Sequence, residues 1–287
     1  MMPRVLTVLC LLPLLVFGNW ALDFDEDFAV ASSKKAGPVT LTFEYVSTYP
    51  ATITIGGSNY GQPADPSKVL IDAGDGVFVS WTTNTITLKG KRIRFRGDWR
   101  NSTGNFRELF RGTFAGGYDV TMSGGFDFEG APATYMFHQT FYSCSNLTGP
   151  IPSGLFGNIS GAPARAMFST TFSGCSKLTG SIPSGLFGNI SGAPGDYMFY
   201  STFSGCSNLT GSIPSGLFGN ISGTPATQMF VFTFYVCSNL TGESALMPDG
   251  TKHLYEQFPT ASENDCYRCY WGATRLNDYA TMPAAWK

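Results

Sequence analysis

Cys144, Cys175, Cys206 and Cys237 stand 31 residues apart along the chain. Thiols in register could bond as disulfides, bind a metal or stay buried as small apolar groups. Stacked chain segments would bring their Cα atoms to ~5 Å, inside the disulfide window. Side chains in a ladder point the same way, however, and a disulfide needs a near-perpendicular torsion. Buried free thiols are the favoured reading, and a secretory N-terminus keeps disulfides open. Cys266 and Cys269 form a C-x-x-C. A redox pair needs a βαβ setting, and structural zinc needs about four ligands. His138 and His253 are the only histidines, and no second C-x-x-C is present. The expectation is a local Cys266–Cys269 disulfide stapling the C-terminal end, with no metal and no cofactor.

Arg92, Arg94 and Arg96 alternate with Ile93 and Phe95, which puts three guanidinium groups on one face of a strand. Such a face is ordinarily a solvated edge that discourages strand pairing. Its sharper reading is a site for a sulfated glycan or another polyanion. The carboxylates collect in the acidic run Asp23–Asp27, the Asp72–Asp75 turn and the C-terminal end, and the repeats hold Asp196 alone. Glycoside hydrolysis needs two facing carboxylates, and neither histidine sits in a nucleophile motif. The chain reads as a non-enzyme.

The elements that position these groups are repeats. From Met136 the chain reads MFHQTFYSCSNLTGPIPSGLFGNISGAPARA, and the same unit restarts at Met167, Met198 and, in part, Met229, with a fixed period of 31. Such a period marks stacked units that bury their apolar faces against one another. Phe168, Phe172 and Cys175 fall at i, i+4 and i+7, the spacing of one helical face. Leu178 to Ile182 reads as a short strand ended by Pro183, and Ser184 to Ile190 as a second helical turn. The fold expected is an α/β repeat solenoid, leucine-rich-repeat-like, with short parallel strands and short helices. The constant Met, Phe, Cys, Leu-Thr-Gly and Ile-Pro columns should be the core and the tight turns. The variable columns should be surface, and among them Tyr142, Tyr200, Phe232 and Tyr235 supply a candidate binding face, since aromatics give large contact area at few rotamers.

Around the repeats, Arg4 and the apolar run Val5–Phe17 read as a secretory signal over residues 1–21, too short to span a bilayer. Period-two alternation from Val39 to Phe95 predicts a small antiparallel sheet or sandwich over residues 22–100. Residues 101–287 would then form the repeat region, with a degenerate first coil around Phe106–Phe114 and a divergent last one around Cys266–Trp286. Arg165, Lys177 and Asp196 are the only charges from Met136 to Gly242, which excludes the basic stripe that nucleic acid requires. Seven Asn-x-Ser/Thr sequons, at Asn101, Asn146, Asn158, Asn189, Asn208, Asn220 and Asn239, are inflated by duplication.

The pattern Phe…Cys-Ser-x-Leu…Ile-Pro resembles the BspA-like leucine-rich repeat of bacterial surface proteins. The resemblance runs from about Phe110 to Trp286. It implies secretion or surface display and adhesion to an extracellular protein or glycan, with no integral membrane span in the mature chain. A purely structural envelope spacer and a glycan-binding module are the alternative readings.

Overall fold

Alternate residues of Thr40–Tyr45 and Arg92–Gly97 carry apolar side chains, and both segments are strands in the computed structural model, which describes residues 40–58 and 60–287. The signal segment expected over residues 1–21 lies outside the described residues. In chain order the strands are β1 (Thr40–Tyr45), β2 (Thr52–Thr54), β3 (Val69–Asp72), β4 (Val79–Ser80), β5 (Thr85–Thr87), β6 (Arg92–Gly97), β7 (Val120–Ser123), β8 (Glu129–Gly130), β9 (Leu147–Thr148), β10 (Asn158–Gly161), β11 (Asn189–Gly192) and β12 (Asn220–Ile221). Helices α1 (Leu254–Gln257) and α2 (Glu263–Cys266) follow. None among the described residues is long and apolar enough to cross a membrane.

β1 and β6 pair antiparallel with Phe43 opposite Ile93 and Leu41 opposite Phe95, so the buried residues of both strands share one face. β3 and β4 extend the sheet beyond β6, and β7 flanks β1 on its other side, giving the order β4-β3-β6-β1-β7-β9. The antiparallel sheet read from the alternation is present. It continues past residue 100, because β7 pairs in parallel with β9 inside the first repeat, Val120 beside Leu147. Phe43 packs on Phe110 and Phe114 at 4.9 and 4.4 Å between ring centroids, so sheet and repeats share a core. β2 and β5 form a separate antiparallel pair.

The α/β repeat solenoid is not what forms. Among the described residues strands account for 22 % and helix, short 3-10 turns included, for 6 %, and the two α-helices have four residues each and follow the repeats. The strands divide among a six-stranded mixed sheet, a four-stranded parallel sheet β12-β11-β10-β8 and a two-stranded pair. Beyond these sheets strand pairing between successive units is reduced to single parallel bridges, Gly149–Leu178, Gly180–Leu209, Gly211–Leu240 and Gly242–Leu276, and among the described residues no helix backs them. Within each unit the segment expected to be helical is a run of tight turns. Tyr135, Gln139 and Ser143 are left-handed (φ 59°, 56°, 58°), as are Ala166, Thr170 and Gly174 one period later. His138, Thr140 and Tyr142 donate their N–H groups three residues back, to the carbonyls of Tyr135, Phe137 and Gln139. The intervening Phe137, Gln139, Phe141 and Ser143 donate instead to Met167, Ser169, Thr171 and Ser173 of the next unit, at 2.7–2.9 Å. An α-helix would bond every N–H internally. Here alternate N–H groups go outward, and a left-handed residue every fourth position returns the aromatics to one side. The second expected helical turn also fails, since Asn189 and Ile190 begin strand β11.

Phe137, Phe168, Phe199 and Phe230 stack at 5.5, 5.6 and 5.8 Å with planes 4–6° apart. Phe106 begins this stack over Phe137 at 5.0 Å, and Tyr270 ends the neighbouring one over Phe234 at 5.4 Å. Trp286 closes the end against Phe230 and Tyr270. The four repeat cysteines are free and fully buried. Cys266 and Cys269 are also free and buried, and the Cys266 thiol donates to the Ser262 carbonyl at 3.1 Å. The expected local disulfide is therefore not formed.

Candidate recognition face

The turn runs place three columns on one side of the repeats. The 138 column carries His138, Ser169, Tyr200, Val231 and, in the last coil, Tyr267. The 139 column carries Gln139, Thr170, Ser201, Phe232 and Arg268. The 142 column carries Tyr142, Ser173, Ser204, Tyr235 and Trp271. Aromatics gather at the C-terminal end of this side. Phe232 meets Tyr200 at 6.1 Å, Tyr235 at 5.3 Å and Tyr267 at 5.6 Å, and Tyr235 stacks on Trp271 at 4.9 Å. Arg268 lies over Tyr267 and Trp271 at 4.9 and 5.5 Å, a cation–π arrangement that holds both rings in place. Tyr267 is 36 % and Trp271 41 % exposed. Between the rings opens a shallow pocket of about 420 Å³, lined by Tyr200, Phe232, Tyr267, Gln228, Glu263 and Asn264.

The structure thus brings together three of the four aromatics picked out in the sequence. Tyr142 stands apart at the other end of the face, beneath Arg111 at 5.3 Å. The units between carry Ser169, Thr170, Ser173 and Ser204, so small side chains separate the two aromatic ends. Tyr267, Arg268 and Trp271 escape the 31-residue period because the last coil is five residues out of step. Cys266 aligns with Phe168, and the same alignment puts Trp271 in the column of Tyr142 and Tyr235.

At the N-terminal end, Glu108 is fully buried between Arg107 (3.5 Å) and Arg111 (3.0 Å). Burial and the neighbouring Arg107 push the His138 imidazole down to about 4, so it is neutral at physiological pH. The arginines of β6 are largely spoken for. Arg92 pairs with Glu44 at 2.9 Å, Arg94 donates to the buried Asp72 at 2.7 Å, and Arg96 lies over Phe78 at 4.1 Å. Two of the three charges offered to a polyanion are already balanced by carboxylates. Among the sequons, Asn101 and Asn146 are buried, whereas Asn158, Asn189 and Asn220 share one exposed sheet face.

One polar cluster had no sequence signal, because its members are far apart in the chain. Ser244 Oγ lies 3.0 Å from His253 Nδ1 and donates to Asp278 Oδ2 at 2.6 Å. A nucleophile relay needs hydroxyl and carboxylate on opposite ring nitrogens. Here both meet Nδ1, and Ser244 is fully buried.

No protein-family model, no curated protein and no solved structure matches the chain.

Proposed function

We propose that this chain is a secreted or cell-surface recognition scaffold without catalysis of its own, and that Tyr200, Phe232, Tyr235, Tyr267 and Trp271 engage an extracellular protein or glycan. The observation that carries this reading is the half-exposed aromatic cluster around the 420 Å³ pocket. Large rigid rings left facing solvent on a well-packed support suit binding. Gln228, Glu263 and Asn264 supply hydrogen-bonding groups at the pocket wall. The resemblance of the repeat pattern to BspA-like surface proteins supports the same reading.

The test is a panel of immobilised matrix proteins and glycans probed with the mature chain and with a Tyr200→Ala, Phe232→Asn, Tyr267→Ala, Trp271→Ala variant. Asn is chosen at position 232 because it tolerates the left-handed backbone there. At least one panel member should retain the wild type and lose the variant, with circular dichroism unchanged. Identical retention profiles for the two proteins would leave the spacer reading in place.

A further inference from the structure

Glu243, His253 and Asp278 converge where the last repeat, helix α1 and the C-terminal segment meet. Asp278 Oδ2 lies 3.3 Å from His253 Nδ1, and Glu243 Oε2 lies 3.9 Å from Nε2. One ligand atom from each side chain falls within 4.8 Å of the other two. The groups behind them are fixed by donors. Asp278 Oδ1 accepts the Ser244 N–H at 3.0 Å, and its Oδ2 accepts the Ser244 and Tyr255 hydroxyls at 2.6 and 3.2 Å. Glu243 Oε1 accepts from Asn277 Nδ2 at 2.8 Å, which leaves Oε2 to face the imidazole. The His253 ring lies flat on Tyr255, 4.8 Å away and 5° from parallel. Outer donors that orient the ligand side chains are what a metal site requires behind its ligands.

The charge around the cluster differs from that at the other buried carboxylates. Asp72 is paired with Arg94, and Glu108 with Arg107 and Arg111. Asp278, with a side chain only 9 % exposed, has no lysine or arginine within ion-pair distance among the described residues, and neither has Glu243. Two carboxylates face a single imidazole, so the cluster is negative whether or not His253 is protonated.

We propose that Glu243, His253 and Asp278 bind a divalent transition-metal ion of the zinc type. An imidazole beside two carboxylates favours zinc over calcium or magnesium, which take oxygen ligands alone. Tetrahedral zinc with bonds of about 2.0–2.2 Å holds its ligand atoms ~3.4 Å apart. The longest edge therefore has to shorten by up to roughly 1.4 Å, which a swing of the Glu243 side chain, 46 % exposed, about its Asn277 contact supplies, with water as the fourth ligand. Bound there, the ion ties three separate chain segments together and stabilises the closed C-terminal end.

The test uses the full mature chain stripped with EDTA and titrated with zinc chloride, read by calorimetry and by thermal unfolding. The expected result is one equivalent bound and a rise in Tm, with calcium inert at the same concentration. His253→Gln and Glu243→Gln should each weaken binding at least about tenfold. The second variant changes an exposed residue and keeps the test decisive if the first fails to fold. Zinc captured only by the six thiols of the unfolded chain would lower Tm instead, and that outcome overturns the proposal. So does an absence of binding to the native chain at millimolar zinc, or undiminished binding in both variants.

Discussion

The ring of Phe168 lies over that of Phe199 with centroids 5.6 Å apart and planes 5° from parallel. Residues 31 apart in sequence are thus nearest neighbours in the core, and Phe187 wedges between the stacks at 4.4 Å from Phe168. Each unit lends half the environment of the next, so no unit can bury its aromatics alone.

Phe168→Ala should therefore cost ~3–5 kcal/mol, the usual range for a buried phenylalanine. The cavity would open between rigid rings that have little freedom to collapse into it. Urea unfolding monitored by circular dichroism checks the value. A loss below ~1 kcal/mol would mean that the stack does not carry the fold.

Thr170 holds a left-handed φ of 53°, and its buried hydroxyl has no hydrogen-bond partner. That conformation costs a β-branched residue ~1–2 kcal/mol, part of which glycine gives back as entropy. Thr170→Gly should stabilise the chain by about 1 kcal/mol. Gly174→Ala should destabilise it by about as much, because φ there is 80° while a Cβ would meet only ordinary contacts with Ser143 at 3.5 Å. Denaturation midpoints of the two variants should move in opposite directions.

These positions also show how far the sequence was legible. Of the constant columns, Met, Phe, Cys, Leu and Ile are buried core, whereas Thr179, Thr210 and Thr241 of Leu-Thr-Gly are exposed. The backbone between them was not readable as turns. Spacing of i, i+4, i+7 suits a helix and equally suits turns that change hand every fourth residue. Glycine at 112, 174, 205 and 272 was the one hint, since it costs a helix interior ~1 kcal/mol. Gln139, Thr170 and Phe232 at the neighbouring left-handed position concealed it. At the candidate site, Tyr200, Phe232 and Tyr235 came from column variability. The pairing of Arg94 with Asp72 and the meeting of Glu243, His253 and Asp278 depend on chain crossings that no local pattern encodes.

The thiol column makes a pH prediction. Cys144, Cys175, Cys206 and Cys237 donate to the carbonyls of Phe110, Phe141, Phe172 and Phe203 at 3.0–3.1 Å. Burial pushes Cys144 and Cys237 up to about 12, and Cys175 and Cys206 well above the ordinary thiol value. Raised values mean that the folded chain keeps its protons where the unfolded chain sheds them. Stability should be insensitive to these groups below pH ~9 and should fall as pH rises towards 12, by up to ~1.4 kcal/mol per pH unit for each thiol. Urea midpoints at pH 7, 9 and 10.5 test the slope. Ellman's reagent at pH 8 should leave the repeat cysteines unlabelled in the native chain and label them in urea, and rapid native labelling would contradict their burial.

Two arginines on the same strand should behave differently. Arg92 and Glu44 form an exposed pair, 62 % and 45 % accessible, of the kind worth ~0–1 kcal/mol. Arg94 faces Asp72, which is 2 % exposed and also accepts the N–H groups of Gly74 and Gly76 at 2.8 and 3.0 Å. Burial alone would raise the Asp72 carboxyl, but those N–H groups and the Arg94 guanidinium outweigh it and hold it below the ordinary carboxylate range. A depressed value contributes stability that is present above the unfolded carboxylate range near pH 4 and is lost as pH falls further. Arg94→Ala should cost ~3–5 kcal/mol at pH 7 by leaving a buried carboxylate without its cation, and Arg92→Ala less than ~1 kcal/mol. Lowering the pH to about 3.5 should narrow the gap between the two variants, because protonation relieves Asp72. An equal cost for the two substitutions at pH 7 would show that the buried pair contributes no more than the exposed one.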